Sequence, residues 1–241
     1  GFAGLYMLHR LRGMGFRAAH TRPIMCSGEA AWQDLKDRAD PWYAGLGQGT
    51  RGLGTGGLGT AGARLYHIGP ERDAELFAGL DSPRVARIED AELIVNTGPW
   101  RDEETVEDYE DVLQAGVRRG LGMVCANPDL EVIRGGTRII CAGALALRYE
   151  ALGGRARWLG KPHPPIYGRC FEMLDEAAGT ALAKRRILAI GDSLRTDIAG
   201  AAAVGVDSAL VLGGLHGAEL GVEAGMAPAP GRLEAMCAAA G

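Results

Sequence analysis

Asp192 and Asp197 stand five residues apart, behind the short apolar run Ile187–Ile190 and a single glycine, Gly191. A continuous apolar run of that length reads as a strand buried in a parallel sheet. Gly191 lets the chain turn, which sets Asp192 at the carboxyl end of the strand. Ser193 or Thr196 can cap the helix expected next, with Asp197 in its first turn. Two carboxylates so placed can face one point and suit a hard cation such as Mg²⁺. Open α/β sheets bind ligands at this edge. The competing reading is local: Asp197 complements the helix dipole and Asp192 only shapes the turn.

A second cluster lies upstream. Arg157–Lys161 reads as another short strand, ending in a lysine and followed by Pro162, His163, Pro164 and Pro165. Pro162 disfavours the helical region for Lys161 and keeps it extended. Pro165 suits the opening of a helix that carries Ile166, Tyr167, Cys170, Phe171 and Leu174 on one face. A lysine at that position can neutralise a phosphate or a carboxylate, although most lysines are simply solvated. His163, two residues on, can touch a phosphate or leaving group, or merely pack.

The elements that must hold these groups alternate strand and helix, so an α/β class with parallel sheets is expected in two halves. Between about Pro23 and Gly154 the pattern gives strands over 63–68, 92–96 and 121–126. Helices are expected over 73–80, 103–119 and 142–152, the last closed by Gly153 and Gly154. The second half holds the Lys161 and Asp192 strands with their helices, and a further strand over 206–212. The final segment, with Pro228 and Pro230 before a short helix, carries no evident chemistry.

Gly160–Tyr167, followed by Gly191–Ile198, resembles the third and fourth motifs of the haloacid dehalogenase-like hydrolases. The likeness is greatest to class IIA, in which a cap domain is inserted between the second and third motifs. Cys125–Asp129 resembles the Asn-Pro-Asp loop of that cap, and Cys141–Ala146 with Tyr149–Gly154 the helix leading out of it. Ala91–Thr97 is similar to a cap strand. The resemblance runs from about Ser27 to Val211. It implies a Rossmann-like, three-layer αβα core over 1–23 and 155–241, without its N-terminal strand, and an α/β cap over 24–154. It further implies that Lys161 holds the phosphoryl charge and that Asp192, helped by Asp197, holds Mg²⁺. Asn127, Asp129 and His163 would meet the substrate, a small phosphorylated metabolite. Homodimers through the cap are common in the class.

The same chemistry needs an Asp-x-Asp pair as nucleophile and acid/base, and a Ser or Thr for a phosphoryl oxygen. No two aspartates separated by one residue occur in the 241 positions. Residues 1–16 resemble the helix after the second motif, so the chain is expected to begin beyond both missing motifs. Phosphoryl transfer through a covalent intermediate needs that nucleophile. The expectation is a phosphohydrolase relative that is inactive or impaired as it stands. The alternative is a non-catalytic protein of the same descent that binds a phosphorylated ligand or acts through its cap surface. A response-regulator-like or nucleotide-binding α/β protein has little motif support.

Composition narrows the classes. Twenty-six basic against thirty acidic residues give a net charge of −4, which offers no basic field for nucleic acid. No apolar run reaches the 18 or so residues of a membrane span, and residues 1–16 lack a signal-peptide core. Cys26, Cys125, Cys141, Cys170 and Cys237 form no paired metal-site spacing, as expected of buried thiols in a reducing cytoplasm. The segment 45–62 holds nine glycines in eighteen residues, so chance GxGxxG matches such as Gly47, Gly49 and Gly52 are expected. The strand-before, helix-after context of a dinucleotide fingerprint is missing there. The segment reads as a low-complexity loop.

Overall fold

The computed structural model describes residues 8–9, 11–17, 24–44, 46, 62–134, 137–222 and 226–240. Apart from Leu46 and Gly62, the glycine-rich segment lies outside them. The chain divides into two compact units, residues 1–160 and 161–241.

The first unit has helical residues at 8–9 and 11–13, followed by helices α1 (Ser27–Asp37) and α2 (Pro41–Ala44). Ala30, Ala31 and Leu35 form the buried face of α1. Strands β1 (Leu65–Ile68), β2 (Arg84–Val85) and β3 (Leu93–Asn96) follow, then helix α3 (Glu110–Arg118) and strand β4 (Gly122–Cys125). A hairpin, β5 (Glu131–Arg134) with β6 (Thr137–Ile140), precedes helix α4 (Ala142–Ala151) and strand β7 (Arg155–Trp158). β1, β2, β3, β4 and β7 form one parallel sheet in the order β2–β1–β3–β4–β7. β3 and β4 are buried throughout, as their continuous apolar runs require. One layer of the core joins Ile94, Met123, Tyr109, Leu113 and Tyr149; the other joins Leu65, Val95 and Val124 to Leu35 and Tyr43.

Several expectations shift. The strand before Lys161, assigned from the sequence to the second half, pairs with β4 in the first unit. Gly153 and Gly154 end α4 just before it, so β4, α4 and β7 make a parallel crossover within one sheet. Arg157 fixes that strand to α1: its guanidinium binds the Asp34 carboxylate through two hydrogen bonds of 2.6 and 2.7 Å, and Asp40 at 2.9 Å. The helix expected over 73–80 is a 3₁₀ segment, Glu71–Phe77. The helix expected from 103 starts as a 3₁₀ turn, Val106–Tyr109, where the Asp108 carboxylate accepts the Thr105 N–H at 2.8 Å. The β5–β6 hairpin was not foreseen.

The second unit contains α5 (Pro164–Ala178), β8 (Leu188–Gly191), α6 (Ala199–Val204), β9 (Asp207–Leu210), α7 (Gly217–Leu220) and α8 (Arg232–Ala240). Proline opens α5 and Gly179, at φ 67°, closes it. β8 and β9 pair in parallel, Leu188 with Asp207 through Gly191 with Leu210. Leu188 and Ile190 are 55% and 69% exposed.

Candidate active site

β8 ends at Gly191, and the chain turns through Asp192 and Ser193 into a π-helical turn, Leu194–Ile198, ahead of α6. The Ser193 hydroxyl accepts the Thr196 N–H at 3.3 Å, the cap expected from its residue type. The wider turn brings the Asp197 carboxylate back over the strand end. Its Oδ2 accepts the N–H groups of Asp192 and Ser193, each at 3.2 Å. A Cβ on Gly191 would overlap the Asp197 carboxylate, so only glycine permits this approach.

Lys161 donates to Asp197 Oδ1. The ammonium is half exposed, whereas Asp197 keeps only 12% of its side-chain surface. Both Asp197 oxygens are therefore engaged, by the lysine and by two backbone donors. An ammonium carries three N–H donors, so Lys161 retains donors for an anion beside Asp197. Tyr167 of α5 packs on Gly200 and donates its hydroxyl to the Thr196 carbonyl at 3.3 Å. Burial, then the Asp197 charge, raises its phenol above the usual tyrosine range, so it remains a donor.

Asp192 is half-buried. Its Oδ2 accepts the Leu215 N–H at 2.9 Å, which leaves Oδ1 without a hydrogen bond among the described residues. That contact comes from the loop after β9 and was not legible beforehand. The sequence signal was the Gly213-Gly214 pair directly after an apolar strand, a mark of close backbone approach. His216 lies in the same loop. Its Nε2 accepts the Leu194 N–H at 3.5 Å and its Nδ1 faces Glu219 Oε2 at 3.4 Å.

Of the residues expected at the site, Lys161, Asp192 and Asp197 come together at one strand end. His163 stands before Pro164 with an extended backbone, φ −72° and ψ 137°, and its side chain does not cap α5. Asn127 and Asp129 belong to the first unit, in the loop after β4. There the Asn127 side-chain oxygen accepts the Asp129 N–H at 3.2 Å, forming a side-chain turn. Cys125 donates its thiol to the Asn127 carbonyl at 3.3 Å, and burial pushes that thiol up to about 12. No group of three or more His, Cys, Asp or Glu side chains among the described residues is arranged to hold a metal ion. No helix among them is long and apolar enough to cross a membrane.

A hydrolase of the haloacid dehalogenase-like family from Brucella suis 1330 superposes with a TM-score of 0.64 and 37% identity, over 84% of this chain and 69% of that one. The chain belongs to the haloacid dehalogenase-like hydrolases. The HAD-hydrolase-like family model matches residues 158–231, the stretch that carries Lys161, Asp192 and Asp197. A p-nitrophenyl phosphatase from Archaeoglobus fulgidus shares the fold, at TM-score 0.63 and 21% identity over 87% of this chain and 69% of that one. A glycerol phosphate phosphatase from Mycobacterium tuberculosis, in complex with magnesium, is 26% identical at TM-score 0.53, over 78% of this chain and 49% of that one. A search of curated proteins gives no match. The parallel sheets with flanking helices agree with the α/β class expected of this haloacid dehalogenase-like chain.

Proposed function

We propose that residues 161–241 form the charge-stabilising part of a Mg²⁺-dependent phosphohydrolase site for a small phosphorylated metabolite, and that the sheet of the first unit serves as its cap. The observation that carries this reading is the Lys161–Asp197 pair set beside an Asp192 carboxylate with one oxygen unengaged among the described residues, at the carboxyl end of β8. Names among the similar structures, p-nitrophenyl phosphatase and glycerol phosphate phosphatase with magnesium, agree with it.

The donor set fits the metal. Mg²⁺ takes hard oxygen ligands, keeps several waters and needs only one or two carboxylates. Asp192 Oδ1 is such a ligand; Asp197, with both oxygens engaged, acts by orienting Lys161 and the turn. Magnesium, when bound, would supply positive charge against the phosphoryl oxygens. Lys161 contributes further charge through its remaining N–H donors, and His163, Asn127 and Asp129 are assigned to substrate contacts. The Asp-x-Asp pair that the family's chemistry uses as nucleophile and acid/base does not occur in these 241 residues.

The test is hydrolysis of 4-nitrophenyl phosphate with Mg²⁺ or EDTA, by the 241-residue chain, by its Asp192→Ala variant, and after an Asp-x-Asp segment is supplied upstream. The chain alone is expected to be silent, with Mg²⁺-dependent turnover appearing once the segment is supplied and vanishing in Asp192→Ala. Turnover by the 241 residues alone would mean another carboxylate is the nucleophile. Silence in every arm, with phosphate still bound, would favour a non-catalytic ligand-binding protein.

A further inference from the structure

The loop after β9 reaches the Asp192 side chain. Leu215 donates its N–H to Asp192 Oδ2 at 2.9 Å. Gly214 lies so near that a Cβ on it would overlap Asp192 Cβ and Oδ2. The next residue, His216, bridges away from that contact in two directions: Nε2 accepts the Leu194 N–H at 3.5 Å, and Nδ1 meets Glu219 Oε2 at 3.4 Å. An Nε2 that accepts requires the proton on Nδ1, and Glu219 is placed to accept it, so the carboxylate selects the tautomer that the Leu194 N–H needs. The imidazole thus spans the start of the π-helical turn and the loop that grips Asp192.

We propose that the segment Gly214-Leu215-His216 is a positioning device for Asp192, with His216 as its anchor: it fixes Oδ2 and so aims Oδ1 at a bound divalent cation. This rests on the reading of Asp192 as a metal ligand. Without the anchor, the exposed Leu215, at 69%, has little packing to hold its N–H in place. Oδ2 would then lose its donor and the carboxylate would rotate between orientations. A carboxylate that must be reordered on metal binding binds more weakly. Gly214 acts in the same device by exclusion, since any side chain there drives Asp192 aside.

The experiment is a Mn²⁺ titration followed by electron paramagnetic resonance, which reads free against bound metal without needing turnover. It uses the full 241-residue chain and its His216→Ala, His216→Gln, Gly214→Ala and Asp192→Ala variants, with a thermal melt of each. His216→Ala and Gly214→Ala are expected to weaken Mn²⁺ roughly tenfold, the scale of one lost hydrogen bond. His216→Gln, whose amide oxygen can take the place of Nε2, should recover affinity to within about twofold, since it restores that bond. If Asp192→Ala abolishes binding while His216→Ala and Gly214→Ala bind as the parent does, the device is refuted and the metal ligand stands. If alanine and glutamine at 216 weaken binding equally, His216 is only a packing residue and the proposal fails. If the parent chain binds no Mn²⁺, or Asp192→Ala binds as well as the parent, the metal reading beneath it fails.

Discussion

In the first unit, Leu93, Ile94 and Val95 are fully buried along β3, whereas Leu188 and Ile190 on β8 of the second unit are 55% and 69% exposed. Both strands are short, apolar and parallel-paired. β3 has neighbours on both sides, and layers of Tyr109, Leu113 and Tyr149 or Leu35 and Tyr43 above and below. β8 pairs with β9 in a two-stranded ladder. The residues of the proposed site, Lys161, Asp192 and Asp197, meet at the end of the less buried strand. What holds them is a set of directed bonds, from backbone N–H groups to Asp192 and Asp197 and from Lys161 to Asp197, rather than side-chain packing. One unit is organised by apolar burial and the other, around its site, by polar geometry.

That contrast predicts a graded response to substitution. Leu113→Ala opens a cavity in the fully buried layer against Tyr109 and Tyr149 and should cost about 2–5 kcal/mol. Trp32, Trp42, Trp100 and Trp158 all lie in the first unit, so tryptophan fluorescence in a urea melt reads this loss there. Arg157→Leu leaves Asp34 without its two-bond partner and should cost about 3 kcal/mol. A double-mutant cycle with Asp34→Ala measures the coupling, and a coupling near zero would remove Arg157 as the tie between β7 and α1.

A pH effect comes next in size. Burial, then the Arg84 charge, lowers the His67 imidazole to about 4. A base whose folded value lies below its unfolded one binds fewer protons when folded, so stability rises with pH between the two values. The contribution is complete above about pH 6.5 and is lost as pH falls toward 4, by up to about 3 kcal/mol. Urea melts at pH 7 and pH 4.5 should differ by more in the parent than in His67→Phe.

The smallest stability effect is expected on β8. Ile190→Ser changes an exposed residue and should move the melt by no more than about 0.5 kcal/mol. It should nevertheless reduce self-association, because an open apolar strand invites pairing. Sedimentation at rising concentration separates the two effects. A loss at Ile190 as large as that at Leu113 would erase the contrast between the units.

Much of the site was legible beforehand, for a physical reason. An apolar run, a glycine and a carboxylate in succession constrain one local geometry, and the five-residue spacing puts Asp192 and Asp197 at the end of β8; that Lys161 lies beside them was implied by the family resemblance, not by spacing. The π-helical turn was not legible, because Leu194–Ile198 reads as ordinary helix until Asp197 folds back onto two N–H groups. The place of His216 was not legible because its link to the site runs through the backbone N–H of Leu194, and no side-chain pattern records a backbone partner. β7 was misplaced because its Arg-Ala-Arg-Trp alternation fits an edge strand in either half, and only pairing with β4 decides. Most elements of the first unit followed from continuous apolar runs; the β5–β6 hairpin, short and weakly apolar, did not.

The most direct test of the account is a calorimetric titration of inorganic phosphate into the 241-residue chain, with and without Mg²⁺, for the parent, Lys161→Ala and Asp192→Ala. The account predicts that Mg²⁺ strengthens phosphate binding and that Asp192→Ala removes that strengthening. Lys161→Ala should weaken binding roughly tenfold or more whether or not the metal is present, as for one lost charge-assisted hydrogen bond. Phosphate binding that is indifferent to Mg²⁺ and to both substitutions would contradict the assignment of Lys161 and Asp192 to a phosphoryl site.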